Sequence, residues 1–180
     1  MHKGHVNIDH ITDEMLYRLK FTEHTNTIYS GGFWKRNGVA VPDYPHEAPW
    51  VWQVFEDNSP PWVKDTKHLF PWLHYAVVTV NKLMPGRFIA PHQDTLYKLR
   101  KKVEQDGLEI EQMEPFRVNL FLQDRLMGHY FEMEDTPWID YVKGDYTVIK
   151  RNAIHLVANL GNEPRFTMQI TGYAKEKDIT

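Results

Sequence analysis

The sequence predicts a mainly β fold, an eight-stranded antiparallel jelly roll with a few flanking helices. Three observations predict it. From His74 onward the chain reads as short β-branched and aromatic runs separated by turn residues. Six of those runs follow one another after residue 115, and two more flank Met84-Pro85-Gly86, making eight. Eight antiparallel strands suit a double-stranded β-helix, the cupin-like architecture. The first third of the chain is dense in Pro, Gly and aromatics and reads as support. The expected organisation is one domain over 1–180, with a supporting region at 1–73 and the barrel at 74–173.

In chain order, residues 9–20 form a short amphipathic helix. Thr12 caps it, Asp13 and Glu14 suit its first turn, and Ile11, Met15, Leu16 and Leu19 share the side that packs outside a sheet. Residues 21–61 are broken by Gly31-Gly32, Gly38, Pro42, Pro45, Pro49 and Pro60-Pro61, so long regular elements are not expected. Phe33, Trp34, Trp50, Trp52 and Phe55 either close one barrel end or form a substrate-facing wall, and Trp50 to Phe55 reads as a strand. A helix is expected over 62–72. His74 to Leu83 and Arg87 to Ala90 are strands. Thr95 to Asp106 is an amphipathic helix with Leu96, Leu99 and Val103 on one side, stopped by Gly107. Its charges, Lys98, Arg100, Lys101, Lys102 and Glu104, read as a solvated face or as a lid over a polar substrate. The later strands are expected at 116–122, 129–133, 138–142, 146–150, 153–160 and 165–173.

Composition narrows the function. The chain has 180 residues, 42% hydrophobic and 25% charged, with a net charge of −3. It carries no basic footprint for nucleic acid and no apolar stretch of membrane-spanning length. There is no cysteine, which excludes disulfides and thiolate metal sites. The N-terminal MHKGHVNIDH lacks a signal-peptide apolar run, and a cytoplasmic address is expected.

Chemistry concentrates at Pro91-His92-Gln93-Asp94. On a strand, i and i+2 share a face, so His92 and Asp94 can grip one metal from one side. Roughly one His-x-acidic pair is expected by chance in such a composition. Context adds weight: the pair follows a strand and a Pro-Gly turn, and His155 lies in a late strand that a jelly roll can return beside it. Two histidines and one carboxylate leave open positions on a metal, as in non-haem Fe(II) oxygenases, and zinc enzymes use similar ligands. Arg165 lies ten residues past His155, across Asn159-Leu160-Gly161-Asn162-Glu163-Pro164. A hairpin there returns it to the pocket, where a guanidinium matches a carboxylate with two hydrogen bonds. Thr167 points the same way. An Arg at a strand start, taken alone, is more commonly a surface residue. His129, Glu132, His68 and His74 do not fit a facial set with the others, and Tyr75 or Tyr130 is a weak candidate to bond a ligand.

These residues, with Arg-Phe-Thr-Met-Gln-Ile-Thr-Gly from Arg165, resemble the Fe(II)/2-oxoglutarate-dependent oxygenase superfamily over about the last hundred residues. Arg117-Val118-Asn119-Leu120-Phe121-Leu122 is similar to the Arg-x-His-Leu-x-Leu of the aspartyl/asparaginyl hydroxylase group, with Asn119 in the His place; the prolyl hydroxylase-like groups are the other neighbourhood. The chain also carries Asp94, a ligand some aspartyl/asparaginyl members lack. The resemblance implies iron on His92, Asp94 and His155, and 2-oxoglutarate on Arg165 with Thr167, Arg117 and Asn119. It implies O₂ as oxidant and a small molecule, amino acid or peptide side chain as substrate. Arg117 could equally be a barrel-end salt bridge. The alternatives are a cupin-like metal enzyme that does not use 2-oxoglutarate and a non-catalytic jelly-roll binding module.

Overall fold

β-branched and aromatic runs pair into sheets wherever alternate side chains can be buried. The computed structural model describes residues 2–24, 51–94, 96–108, 110 and 112–179, so the expectations for Phe33, Trp34 and Trp50 lie outside the described residues. Among the described residues the strands are β1 (His2–His5), β2 (Thr22–His24), β3 (Val51–Phe55), β4 (His74–Leu83), β5 (Arg87–His92), β6 (Glu114–Phe121), β7 (His129–Met133), β8 (Thr136–Pro137), β9 (Asp145–Lys150), β10 (His155–Asn159) and β11 (Arg165–Ala174). The helices are α1 (Asp13–Tyr17), α2 (Pro61–Asp65) and α3 (Tyr97–Asp106).

All pairings are antiparallel. The larger sheet runs β1-β9-β6-β11-β4-β3-β2 and the smaller runs β5-β10-β7-β8. From β4 onward the chain passes repeatedly between them: β4, β6, β9 and β11 belong to the larger sheet, and β5, β7, β8 and β10 to the smaller. That alternation is the double-stranded β-helix. It sets β5 beside β10 and β6 beside β11, which brings together residues far apart in the chain.

Two apolar regions follow from the alternation of side chains. Phe116, Val118 and Leu120 of β6 and Phe166, Met168 and Ile170 of β11 face outward and pack with Ile11 and Leu16 from the α1 region and Val63 of α2. Burying one such side chain stabilises the fold by about 1.5–3 kcal/mol. A smaller cluster, Phe121, Phe131, Met133, Trp138, Tyr141, Ile149 and Ala153, draws instead on both sheets. α3 lays Leu99 and Val103 against Tyr173 of β11, and Gly107 ends it at φ 60°, as its position predicts.

Several elements differ from expectation. α1 keeps the Thr12 cap (Met15 N donates to Oγ1, 3.3 Å) but spans only Asp13–Tyr17, because the chain is soon recruited into β2. The helix expected over 62–72 is α2 followed by a 3-10 turn at Thr66–Leu69. The strand expected at 138–142 does not form. β8 is two residues long, and Trp138 and Tyr141 are apolar because they fill the inter-sheet cluster, not because they pair. β1 was not foreseen, since its mostly exposed residues carry no burial pattern; backbone pairing to the edge of β9 creates it.

Candidate metal centre

β5 and β10 are neighbours in the smaller sheet, with His92 opposite His155 and the two rings 4.2 Å apart. Strand register therefore places both imidazoles. Asp94 is different: it lies two residues beyond the end of β5, so strand alternation does not orient it. Gln93 Nε2 donates to Asn152 O (2.9 Å), tying this segment to the turn before β10. Leu96, buried and left-handed at φ 50°, then swings the chain into α3. A left-handed leucine costs about 1 kcal/mol or more, here offset by burial of its side chain.

The three side chains converge. His92 Nε2 is 3.8 Å from Asp94 Oδ1, His155 Nε2 is 3.6 Å from Asp94 Oδ2, and one donor atom from each lies within 4.8 Å of the others. Donors roughly 2.0–2.2 Å from a shared ion stand at comparable separations, so the residues fit a metal. His155 Nδ1 lies 3.1 Å from Ala153 O, which favours the tautomer with its proton there and leaves Nε2, buried without a hydrogen-bond partner, facing the cluster. Burial lowers the His155 pKa, outweighing the opposing pull of Asp94, and keeps the ring neutral as a ligand must be. Burial pushes the Asp94 carboxyl up, but the Arg117 guanidinium, the largest opposing influence, helps hold it below its ordinary value.

Arg117 makes the closest contact to a ligand. Its Nη1 is 2.6 Å from Asp94 Oδ2, and its Nε donates to Thr171 Oγ1 (3.1 Å). At this distance the guanidinium and the carboxylate form a charge pair.

Arg165 is only 3% exposed. Its Nε donates to Tyr141 Oη (3.2 Å), and its guanidinium carbon lies 5.4 Å from the Phe121 ring centre and 5.8 Å from that of Tyr141. Its Nη2 has no hydrogen-bond partner, and among the described residues no carboxylate pairs with it. Asn119, also 3% exposed, has an unpartnered Nδ2, and Thr167 is buried. Arg117, Asn119 and Phe121 occupy one face of β6. They form a line from the Asp94 contact to the Arg165 contact, four residues or about 13 Å of strand. All seven expected site residues thus lie buried or half-buried on this interior.

The other candidates are elsewhere. His129 is buried but braces loops, with Nε2 3.3 Å from Glu163 O. Glu132 pairs with the Tyr130 hydroxyl. His68 and His74 are exposed. Three site-building residues were missed. Tyr141 holds Arg165, and Asn159 staples the β10–β11 turn, with Nδ2 donating to Leu83 O (2.9 Å) and Glu163 O (2.8 Å). Gln123 closes the same turn by accepting from Phe166 N (2.9 Å). Only Asn159 carried a signal, an Asn two residues before a Gly in a turn. Gly128 completes this end: a Cβ there would collide with the backbone of Gly161, so two turns meet where no side chain fits.

No protein-family model matches the sequence, and no curated protein matches it. Solved structures align weakly. KdgF from a Halomonas species has a TM-score of 0.41 at 12% identity, covering 77% of this chain and 92% of that one. A predicted oxalate decarboxylase from Thermotoga maritima gives 0.41 at 15%, covering 68% and 79%. The cupin domain of Schizosaccharomyces pombe Cnp3 gives 0.43 at 8%, covering 73% and 70%. No residue role is carried over from any of them. What stands on this chain's own topology and side chains is a double-stranded β-helix with a His-Asp-His set able to hold a metal ion.

Proposed function

We propose that this protein is an Fe(II)- and 2-oxoglutarate-dependent dioxygenase that hydroxylates a C–H bond of a small molecule, amino acid or peptide side chain. The observation that carries the reading is Arg165, a buried guanidinium with an unpartnered nitrogen and no carboxylate partner among the described residues. An uncompensated buried charge is costly, and a ligand carboxylate would compensate it with directed hydrogen bonds. Arg117 and Phe121, on one face of β6, touch the Asp94 carboxylate and the Arg165 guanidinium, so both groups border the same interior.

Iron with 2-oxoglutarate and O₂ supplies C–H oxidation, with succinate and CO₂ as the other products. The chain's part is to bind and orient. His92, Asp94 and His155 would hold the metal and leave positions open. Arg165 would take the distal carboxylate, while Thr167 and Asn119 offer polar contacts between. Phe121, Tyr141 and Trp138 keep water from the deep end.

Anaerobic Fe(II) plus 2-oxoglutarate should give a visible absorption band, lost in His92→Ala and His155→Ala. Succinate release should rise when the right amino acid or peptide is supplied. No band and no succinate would overturn the reading. The second reading, a metal enzyme that does not use 2-oxoglutarate, draws on the aromatic faces that already accommodate Arg165. It requires Arg165→Ala to leave metal-dependent activity unchanged. A metal-free protein that binds a sugar or peptide would instead be a binding module.

A further inference from the structure

We infer that Arg117 is a positioning residue of the metal centre, holding Asp94 in place for the ion rather than contacting a cosubstrate. The inference rests on the metal-binding part of the reading above and is independent of 2-oxoglutarate.

The three candidate ligands are not equally well oriented. His92 and His155 stand opposite one another on paired strands, and His155 is further fixed by the Ala153 carbonyl. Asp94 has neither support. It sits past the end of β5, and the chain turns away at left-handed Leu96. Its orientation must come from a side chain, and among the described residues the one at salt-bridge distance that is not itself a ligand is Arg117.

Arg117 is built for that task. It comes from the larger sheet, on β6, while His92 and His155 come from the smaller one. Its Nε is anchored by Thr171 Oγ1 on the adjacent strand β11, where the two residues are in register. That anchor fixes the guanidinium, and Nη1 reaches Asp94 Oδ2. With Oδ2 engaged, Oδ1, which faces His92 Nε2, is the oxygen left to bind the metal singly. The pair also compensates the buried carboxylate before any cation arrives. Removing one partner of such a pair strands the other.

Cobalt(II) titration of the intact protein, followed by its visible d–d absorption, tests this. Wild type should bind. Arg117→Ala should weaken cobalt binding by 10- to 100-fold, the range for losing the partner of a ligand, and should change the d–d band shape. Arg117→Lys, which keeps the charge near Asp94, should recover part of the affinity. Thr171→Val, which removes only the anchor, should lose several-fold, and it keeps the test open if Arg117→Ala does not fold. In an Asp94→Ala background, Arg117→Ala should cause no further loss. Unchanged cobalt affinity in Arg117→Ala, or the same loss with Asp94 absent, would overturn the assignment. So would intact cobalt binding with a raised KM for 2-oxoglutarate, which would make Arg117 a cosubstrate contact. Wild type that binds no cobalt sinks both this inference and the metal reading. Wild type that binds cobalt but forms no succinate with iron sinks only the oxygenase reading.

Discussion

The two faces of the larger sheet are made from the same strands and do opposite work. On β11, Phe166, Met168 and Ile170 point outward into a dry cluster covered by the N-terminal helices. Arg165, Thr167 and Thr171, between them in sequence, belong to the opposite, polar face. On β6, Phe116, Val118 and Leu120 are set against Arg117 and Asn119 in the same way. The outer face has no unpartnered buried side-chain polar atom among the described residues, whereas the inner side and the adjoining ligands hold Asn119 Nδ2, His155 Nε2 and Arg165 Nη2. Stability and chemistry are thus segregated by residue parity rather than by domain.

The largest expected effect breaks the outer face. Leu120→Ala should cost about 2–5 kcal/mol in denaturant unfolding, as large-to-small changes in packed cores do. Cobalt affinity should survive in the folded fraction; if it fell with stability, the faces would not be separable. A smaller effect of opposite kind is expected inside. Arg165→Met removes an uncompensated buried charge while keeping much of its bulk, so unfolding free energy should hold or rise by about 1 kcal/mol. Binding of 2-oxoglutarate to the metal-loaded protein should be lost. A variant as damaged as Leu120→Ala would mean that Arg165 belongs to the folding core.

The smallest effect is a pH dependence. Burial lowers the pKa of both His129 and His155 below the ordinary imidazole value of 6.5. Below that value the unfolded chain takes up protons that the folded one resists, so its proton count is higher. Stability of the metal-free protein is therefore present above 6.5 and falls as pH drops through it. Chemical denaturation at pH 7 and at about pH 5 reads this directly, and His129→Gln should make the slope shallower. A slope of the opposite sign would show that these rings are protonated in the fold.

Much of this architecture was legible in the amino-acid order. Alternation in the runs ending at Leu83, Leu122 and Tyr173 marked strands because period two and burial coincide there. His92, His155 and Arg165 stood out by residue type and spacing, but the hairpin expected between His155 and Arg165 does not form: β10 and β11 belong to different sheets, and the turn between them is a crossover. Other features arise only from pairing in space. β1 is a polar tetrapeptide that becomes a strand because β9 offers an open edge. Trp138 and Tyr141 imitated a strand because core filling also selects aromatics. The contact of Arg117 with Asp94 joins strands of different sheets, and no local pattern announces it. Asp94 itself was expected from strand alternation, yet lies beyond the strand.

The strict alternation along β11 also governs how such a protein can vary. Substitution at Arg165, Thr167 or Thr171 rewrites the chamber while leaving the neighbouring packing residues in place, so chemistry can drift one position at a time. Insertion or deletion of one residue is another matter. It would present Phe166 and Met168 to the ligands and bury an arginine beneath the helices, undoing both faces together. Divergence along this strand is therefore open to exchange of letters and closed to change of length, which makes the spacing of Arg165, Thr167 and Thr171 more durable than their identities.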